Sequence, residues 1–146
     1  MKYKLQKIDR SDFPLLAMLL EENNLVISDI ENPEIVFWGY FNNTELVCVG
    51  GLEVYSEYAL LRSLVVAKKY RKLKLGSQIT AVLLKEAKQL GAKDVYLLTK
   101  TASSFFEANG FSVIKRDKTP EIIQNTRQFR GLCPAAAKCL TKKLSD

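Results

Sequence analysis

Between Tyr58 and Thr99 the repeat of apolar residues switches from strand-like to helical and back, which restricts the fold more than any other feature of the chain. Tyr58 to Val66 (YALLRSLVV) is almost continuously apolar, as in a strand buried on both faces. From Leu75 the period becomes helical, with Ile79, Val82, Leu83, Ala87 and Leu90 on one face. Lys85 and Lys88 lie near its C-terminal end, and Gly91 stands where a left-handed cap ends a helix. Asp94 to Thr99 (DVYLLT) is again a short apolar strand. Strand, basic loop, helix and strand in this order make a βαβ unit, whose two strands run parallel.

The flanking segments add antiparallel neighbours. Tyr3 to Ile8 reads as a short strand, followed by a helix capped by Ser11 or Asp12, with Pro14 in its tolerated first turn and an end near Asn23 and Asn24. Ile35 to Phe41 and Leu46 to Val54 form a hairpin across Asn42, Asn43 and Thr44. Beyond Thr99, a helix from Ala102 to Asn109 stops at Gly110 and Phe111 to Lys115 returns as a strand. A short helix or turn follows at Glu121 to Thr126, with a last strand near Ala136 to Lys142. The expected fold is a mixed α/β sheet in a single domain, residues 1–146, a length that supports one core.

The chain contains no histidine, which removes Ser/His/Asp and Cys/His nucleophile systems and imidazole-dependent zinc sites. Any general base must be a carboxylate, Lys, Tyr or Cys. Cys48, Cys133 and Cys139 are odd in number and show no CxxC spacing, so they read as reduced, packed thiols of a cytoplasmic protein. Neither a secretory leader nor a membrane span is expected. The net charge of +6 implies an anionic partner or ligand, and much of the excess is expected in Lys68 to Lys74 (KKYRKLK), five of whose seven residues are basic. That run joins a strand end to the N-terminus of the long helix, with Gly76 and Ser77 at the junction. Free N–H groups and the helix dipole there suit a pyrophosphate.

Arg71-Lys72-Leu73-Lys74-Leu75-Gly76 resembles the [Q/R]-x-x-G-x-[G/A] acyl-coenzyme A loop of the GCN5-related N-acetyltransferase (GNAT) superfamily, with Lys74 in place of the first glycine. Ala102-Ser103-Ser104-Phe105-Phe106-Glu107-Ala108-Asn109-Gly110-Phe111 is similar to the superfamily's A-x-x-[LF]-[YF]-E-x-x-G-F segment. LLRSLVV, YLLTKTASSFF and TRQFRGLCPAAAKCL further resemble the GNAT subgroup of arsenic-resistance-associated acetyltransferases.

The resemblance implies a GNAT acyl-CoA N-acyltransferase fold whose parallel strands, 58–66 and 94–99, splay so that the pantetheine arm of acetyl-CoA enters between them. It implies that backbone groups of Leu64, Val65 and Val66 bind this arm. Amides of Arg71, Lys72, Leu73, Lys74, Leu75, Gly76 and Ser77 would hold the pyrophosphate, and the basic side chains the 3′-phosphate. Thr99 stands where the family often has a cofactor-contacting Asn. Phe106 replaces the usual Tyr that protonates the leaving thiolate, leaving that role to Ser103, Thr101 or solvent; Phe105 and Phe106 lie along the cofactor segment but read most simply as core.

For the chemistry, Glu53 is the candidate base, acting through water, against the alternative of an ordinary edge carboxylate. Arg62 interrupts an apolar strand and needs a partner, read first as an acidic group on the substrate and second as Glu53. Arg127 and Arg130 are further acceptor-side ligands. The resemblance implies direct acetyl transfer from acetyl-CoA to a primary amine of a small, amino-acid-like molecule, without a metal, and family habit implies a homodimer. The alternatives are a non-catalytic acyl-CoA binding or sensing module, and a nucleic-acid binder using residues 68–74.

Overall fold

The computed structural model describes residues 2–132 and 136–144. Its strands are β1 (Lys4–Lys7), β2 (Ile35–Asn42), β3 (Glu45–Tyr55), β4 (Tyr58–Val66), β5 (Asp94–Thr99), β6 (Ser112–Ile114) and β7 (Lys138–Lys143). Its helices are α1 (Phe13–Glu22), α2 (Leu75–Gln89), α3 (Ser103–Ala108) and the single turn α4 (Glu121–Gln124). The strands order as β1-β2-β3-β4-β5-β7-β6. β4 and β5 are parallel, as the crossover through α2 requires, while β1/β2, β2/β3, β5/β7 and β6/β7 are antiparallel. This is the mixed α/β sheet expected.

Contacts gather the chain into two compact units, Met1–Glu53 with Arg62–Glu86, and Val54–Leu61 with Ala87–Asp146. The chain passes from one to the other and back, so the units are not consecutive domains. In the first, Asn43 takes the left-handed conformation (φ 57°) that the β2/β3 turn demands. Leu16, Leu19 and Leu20 of α1 are buried with Ile35, Phe37, Val49 and Val65, whereas Leu15 and Met18 of the same helix face solvent. Ile79 and Leu83 of α2 are fully buried. α2 lies so close to β3 that a Cβ on Gly50 would fall 2.5 Å from Leu83 Cδ1. The expected helix cap is corrected: neither Ser11 nor Asp12 caps α1 with its side chain, and Asp9 instead caps a preceding 3-10 turn at Arg10–Asp12.

In the second unit β4 pairs with β5 in the register Tyr58 to Leu60 against Asp94 to Tyr96. Leu60, Tyr96 and Ile123 form its core, with Tyr55, Tyr58, Ile114 and Phe129 packed around them. Gly91 (φ 100°) follows α2 and Gly110 (φ 94°) follows α3, both at the left-handed positions the sequence marks. The segment between β6 and β7 holds a 3-10 turn at Arg116–Lys118 and a π turn at Gln128–Leu132 besides α4. Such turns are too short to leave a periodic signal. β7 begins at Lys138 rather than Ala136. Cys133 lies outside the described residues. Among the described residues no helix is long and apolar enough to cross a membrane.

Candidate active site

The basic segment is held from both ends. Lys68–Tyr70 form a 3-10 turn, and Tyr70, the aromatic residue within the basic run, is buried. Its hydroxyl donates to Glu45 Oε1 at 2.7 Å and accepts from Asn42 Nδ2 at 3.0 Å, fastening the loop to the end of the β2/β3 hairpin. Arg71 donates from Nε to the Val66 carbonyl (3.0 Å) and from Nη2 to Asn23 Oδ1 (2.7 Å). Its guanidinium therefore braces the loop against the end of β4, and its backbone N–H bonds the Lys68 carbonyl at 3.3 Å, so the expectation that the Arg71 amide holds a pyrophosphate is corrected: that donor closes the 3-10 turn instead. Lys72, Leu73 and Lys74 are exposed. Lys72 (φ 70°) and Lys74 (φ 64°) are both left-handed, so the position that is glycine in the family motif demands glycine-like backbone here as well.

The first recorded main-chain bond of α2 runs from Gln78 N to Lys74 O at 3.1 Å. Helix geometry leaves the N–H groups of Leu75, Gly76 and Ser77 without an intrahelical acceptor. Gly76 and Ser77 are half-buried, and the exposed Lys72 and Lys74 precede them. These first-turn donors, the positive helix end and two lysines form a cradle whose chemistry fits a diphosphate. Nearby, Val65 is buried and Leu64 and Val66 are partly accessible along β4.

A second cluster lies deeper in the same unit. Arg62, Asp29 and Glu53 are each buried. Arg62 reaches Asp29 in bidentate fashion, Nη1–Oδ2 2.6 Å and Nη2–Oδ1 2.7 Å, and also Glu53 through Nη1–Oε2 at 2.8 Å. Burial lowers the arginine pKa, but hydrogen bonds and charge from Asp29 and Glu53 outweigh it and leave the value raised. On sequence grounds Arg62 is first a substrate ligand; its side chain is 1% exposed, so the structure corrects this to the internal ion pair with Glu53, joined by Asp29. A guanidinium this deep is stable only with partners inside the protein. Arg62 Nε also lies 3.2 Å from Ser63 Oγ, and Ser63 is left-handed (φ 57°) in the middle of β4. A residue so turned re-aims its peptide groups within the strand. Glu53 is thus a buried, ion-paired carboxylate rather than one facing an edge.

In the second unit, Thr99 Oγ1 accepts from Ala102 N at 3.0 Å and shapes the entry to α3. Ser103 Oγ donates to Glu107 Oε1 at 3.1 Å, which commits its proton, and Thr101 is exposed. Phe106 is buried edge-on between Phe105 and Phe111, at centroid distances of 5.0 and 5.6 Å, as a core residue. Arg127 and Arg130 are exposed. The free thiols are buried, with burial pushing Cys48 up to about 12 and Cys139 up to about 11. Charge divides unexpectedly. The first unit has eleven Lys and Arg against ten Asp and Glu, the second eleven against six, so the +6 splits as +1 and +5. Acidic residues of its own unit nearly cancel the 68–74 run, and the net excess lies elsewhere. Sequence reasoning missed Asp29, Asn23 and Tyr70. Only Tyr70 carries a signal, as a large aromatic set among lysines.

No curated protein matches the chain in sequence. Solved structures do match in fold. A GNAT-family acetyltransferase from Staphylococcus aureus Mu50 is 23% identical with a TM-score of 0.80, covering 98% of this chain and 99% of that one. The N-acetylglutamate synthase of Neisseria gonorrhoeae, complexed with coenzyme A and N-acetyl-glutamate, is 19% identical with a TM-score of 0.83 over 99% of this chain and 35% of its own. The PaiA N-acetyltransferase of Thermoplasma acidophilum, complexed with coenzyme A, is 18% identical with a TM-score of 0.72, over 98% and 99%. The family model of the acetyltransferase (GNAT) domain matches residues 32–113, more than half of the sequence, from just before the hairpin into β6. With the mixed sheet, the parallel β4/β5 pair and the amide cradle at the start of α2, this match places the chain in the GNAT family of acetyltransferases, enzymes that take their acetyl group from acetyl-coenzyme A.

Proposed function

We propose that this protein transfers the acetyl group of acetyl-CoA directly to the primary amine of a small, amino-acid-like acceptor. The observation that carries the reading is the cradle at the start of α2, where Leu75, Gly76 and Ser77 have N–H groups with no intrahelical acceptor, next to Lys72 and Lys74. These amides would hold the pyrophosphate, with the lysines meeting further phosphate charge. Backbone groups of Leu64 to Val66 would align the pantetheine arm, and the turned peptide at Ser63 offers a place to polarise the thioester carbonyl. Acetyl-CoA supplies the acetyl group as a thioester with a fair leaving thiolate, so no covalent enzyme intermediate is needed. Transfer forms an N–C bond and breaks the C–S bond; the amine proton leaves towards Glu53 through water, and solvent protonates the thiolate, since Ser103 already donates to Glu107. The amino-acid-like acceptor is supported by the subgroup resemblance and by the N-acetyl-glutamate bound in the Neisseria synthase.

A second reading of Glu53, as a structural partner only, is favoured by its ion pair with Arg62. Glu53→Gln separates the two. A base role lowers kcat at least about tenfold with CoA binding intact, whereas a structural role lowers the melting midpoint and spares kcat. For the cofactor, Gly76→Glu should abolish the heat of CoA binding in calorimetry through clash and like charge, while Lys68→Ala weakens it only slightly. Equal small effects of both would remove this cradle from consideration.

A further inference from the structure

Outside this site, the second unit contains a cavity of about 240 Å³ lined by Arg116, Asp117, Gln124 and Phe129. Its wall is built by short-range bonds within the segment between β6 and β7. Thr119 Oγ1 donates to the Arg116 carbonyl at 2.7 Å, Gln124 Nε2 to the Thr119 carbonyl at 2.8 Å, and Thr126 Oγ1 to the Ile123 carbonyl at 2.7 Å. Arg116 stands over the Phe129 ring, 5.6 Å from its centroid, which fixes the guanidinium plane against an apolar surface. Gln124 spends one amide N–H on the Thr119 carbonyl, a bond that holds the side-chain amide in place, and its oxygen is an acceptor for a ligand. The lining thus combines a guanidinium for an acid group, an amide oxygen and the Asp117 carboxylate for an ammonium, and an aromatic face. These are the complements of a zwitterion, and the volume suits a molecule of amino-acid size.

We propose that the Arg116–Phe129 cavity binds an α-amino acid, with Arg116 on its carboxylate and Gln124 and Asp117 on its ammonium group. The net +5 of the second unit favours the approach of acidic members of this class. The proposal deepens the acceptor class named above and rests on that reading for its part in acetyl transfer, although binding can be measured alone.

The experiment titrates the 15N-labelled full chain, without CoA, with the protein amino acids singly at millimolar concentration. Their decarboxylated amines and inorganic phosphate serve as comparisons. At least one amino acid should shift the amides of Arg116, Asp117, Gln124 and Phe129 saturably and give intermolecular NOEs to the Phe129 ring. Its decarboxylated amine, and Arg116→Gln with an unchanged circular dichroism spectrum, should bind about tenfold more weakly or worse, the loss of a charge-assisted hydrogen bond. If Arg116→Gln does not fold, the NOEs of the unaltered chain decide. Absence of shifts at these residues with every amino acid overturns the proposal, as does inorganic phosphate binding there equally well. Thiol release from acetyl-CoA is followed separately with the same amino acids. Binding at the cavity without release upholds the cavity and overturns the acceptor reading; release without shifts at Arg116 does the reverse.

Discussion

Lys74 occupies a backbone conformation (φ 64°) that a side chain tolerates poorly, at the position that is glycine in the motif it resembles. Left-handed geometry costs an ordinary residue about 1–2 kcal/mol, whereas glycine instead loses about 0.4–1 kcal/mol through the freedom it adds to the unfolded chain. Lys74→Gly should therefore be neutral to mildly stabilising. Lys74→Val, with a branched Cβ, should fall below it by about 2 kcal/mol; urea denaturation of the two variants side by side measures the gap. Arg62 teaches a related lesson. Its apolar neighbours in β4 announce a buried charge that needs a partner, and Glu53 can be named from the neighbouring strand. Asp29 cannot, because it sits in an irregular segment whose path no periodicity describes, yet it makes the two-pronged contact.

Among the elements, α2 and the loop before it matter most. The helix is legible because its buried face repeats at helical spacing, whereas its closeness to β3, where Gly50 leaves room under Leu83, emerges only in the structure. How the loop is held is less legible. Tyr70 ties it to Asn42 and Glu45, and Arg71 ties it to Val66 and Asn23. Tyr70→Phe keeps the ring in its buried place but removes both hydroxyl bonds. It should reduce CoA affinity severalfold, since each lost bond is worth about 1 kcal/mol and a looser cradle must be ordered on binding. Calorimetry with CoA, beside a melting curve that moves by only a few degrees, is the check. Unchanged affinity would mean that α2 alone orders the cradle.

At the scale of the whole molecule, each unit buries one thiol among the described residues, Cys48 in the first and Cys139 in the second. Both pKa values are raised by burial from 9.0, to about 12 and about 11. A raised folded-state value means that the folded chain keeps a proton the unfolded chain gives up. Stability should therefore be undiminished by these groups below about pH 9 and fall between about pH 9 and pH 11–12. Urea midpoints recorded across that range should decline for the native sequence and decline less for Cys48→Ala, compared with its own value at neutral pH. By itself the sequence determined the order of strands and helices, the parallel crossover, the turn at Asn43 and the glycine caps, and it marked the start of α2 as the place to expect an anion. Each follows from spacing and chemistry among near neighbours. Only the tertiary structure decided that Arg62 is locked between Asp29 and Glu53, that Arg71 braces β4, and that the charge excess belongs to the unit without the basic loop. It alone assembled Arg116, Gln124 and Phe129 around a cavity. Such partnerships join side chains from different turns and strands, and their geometry exists only once packing has chosen which surfaces meet.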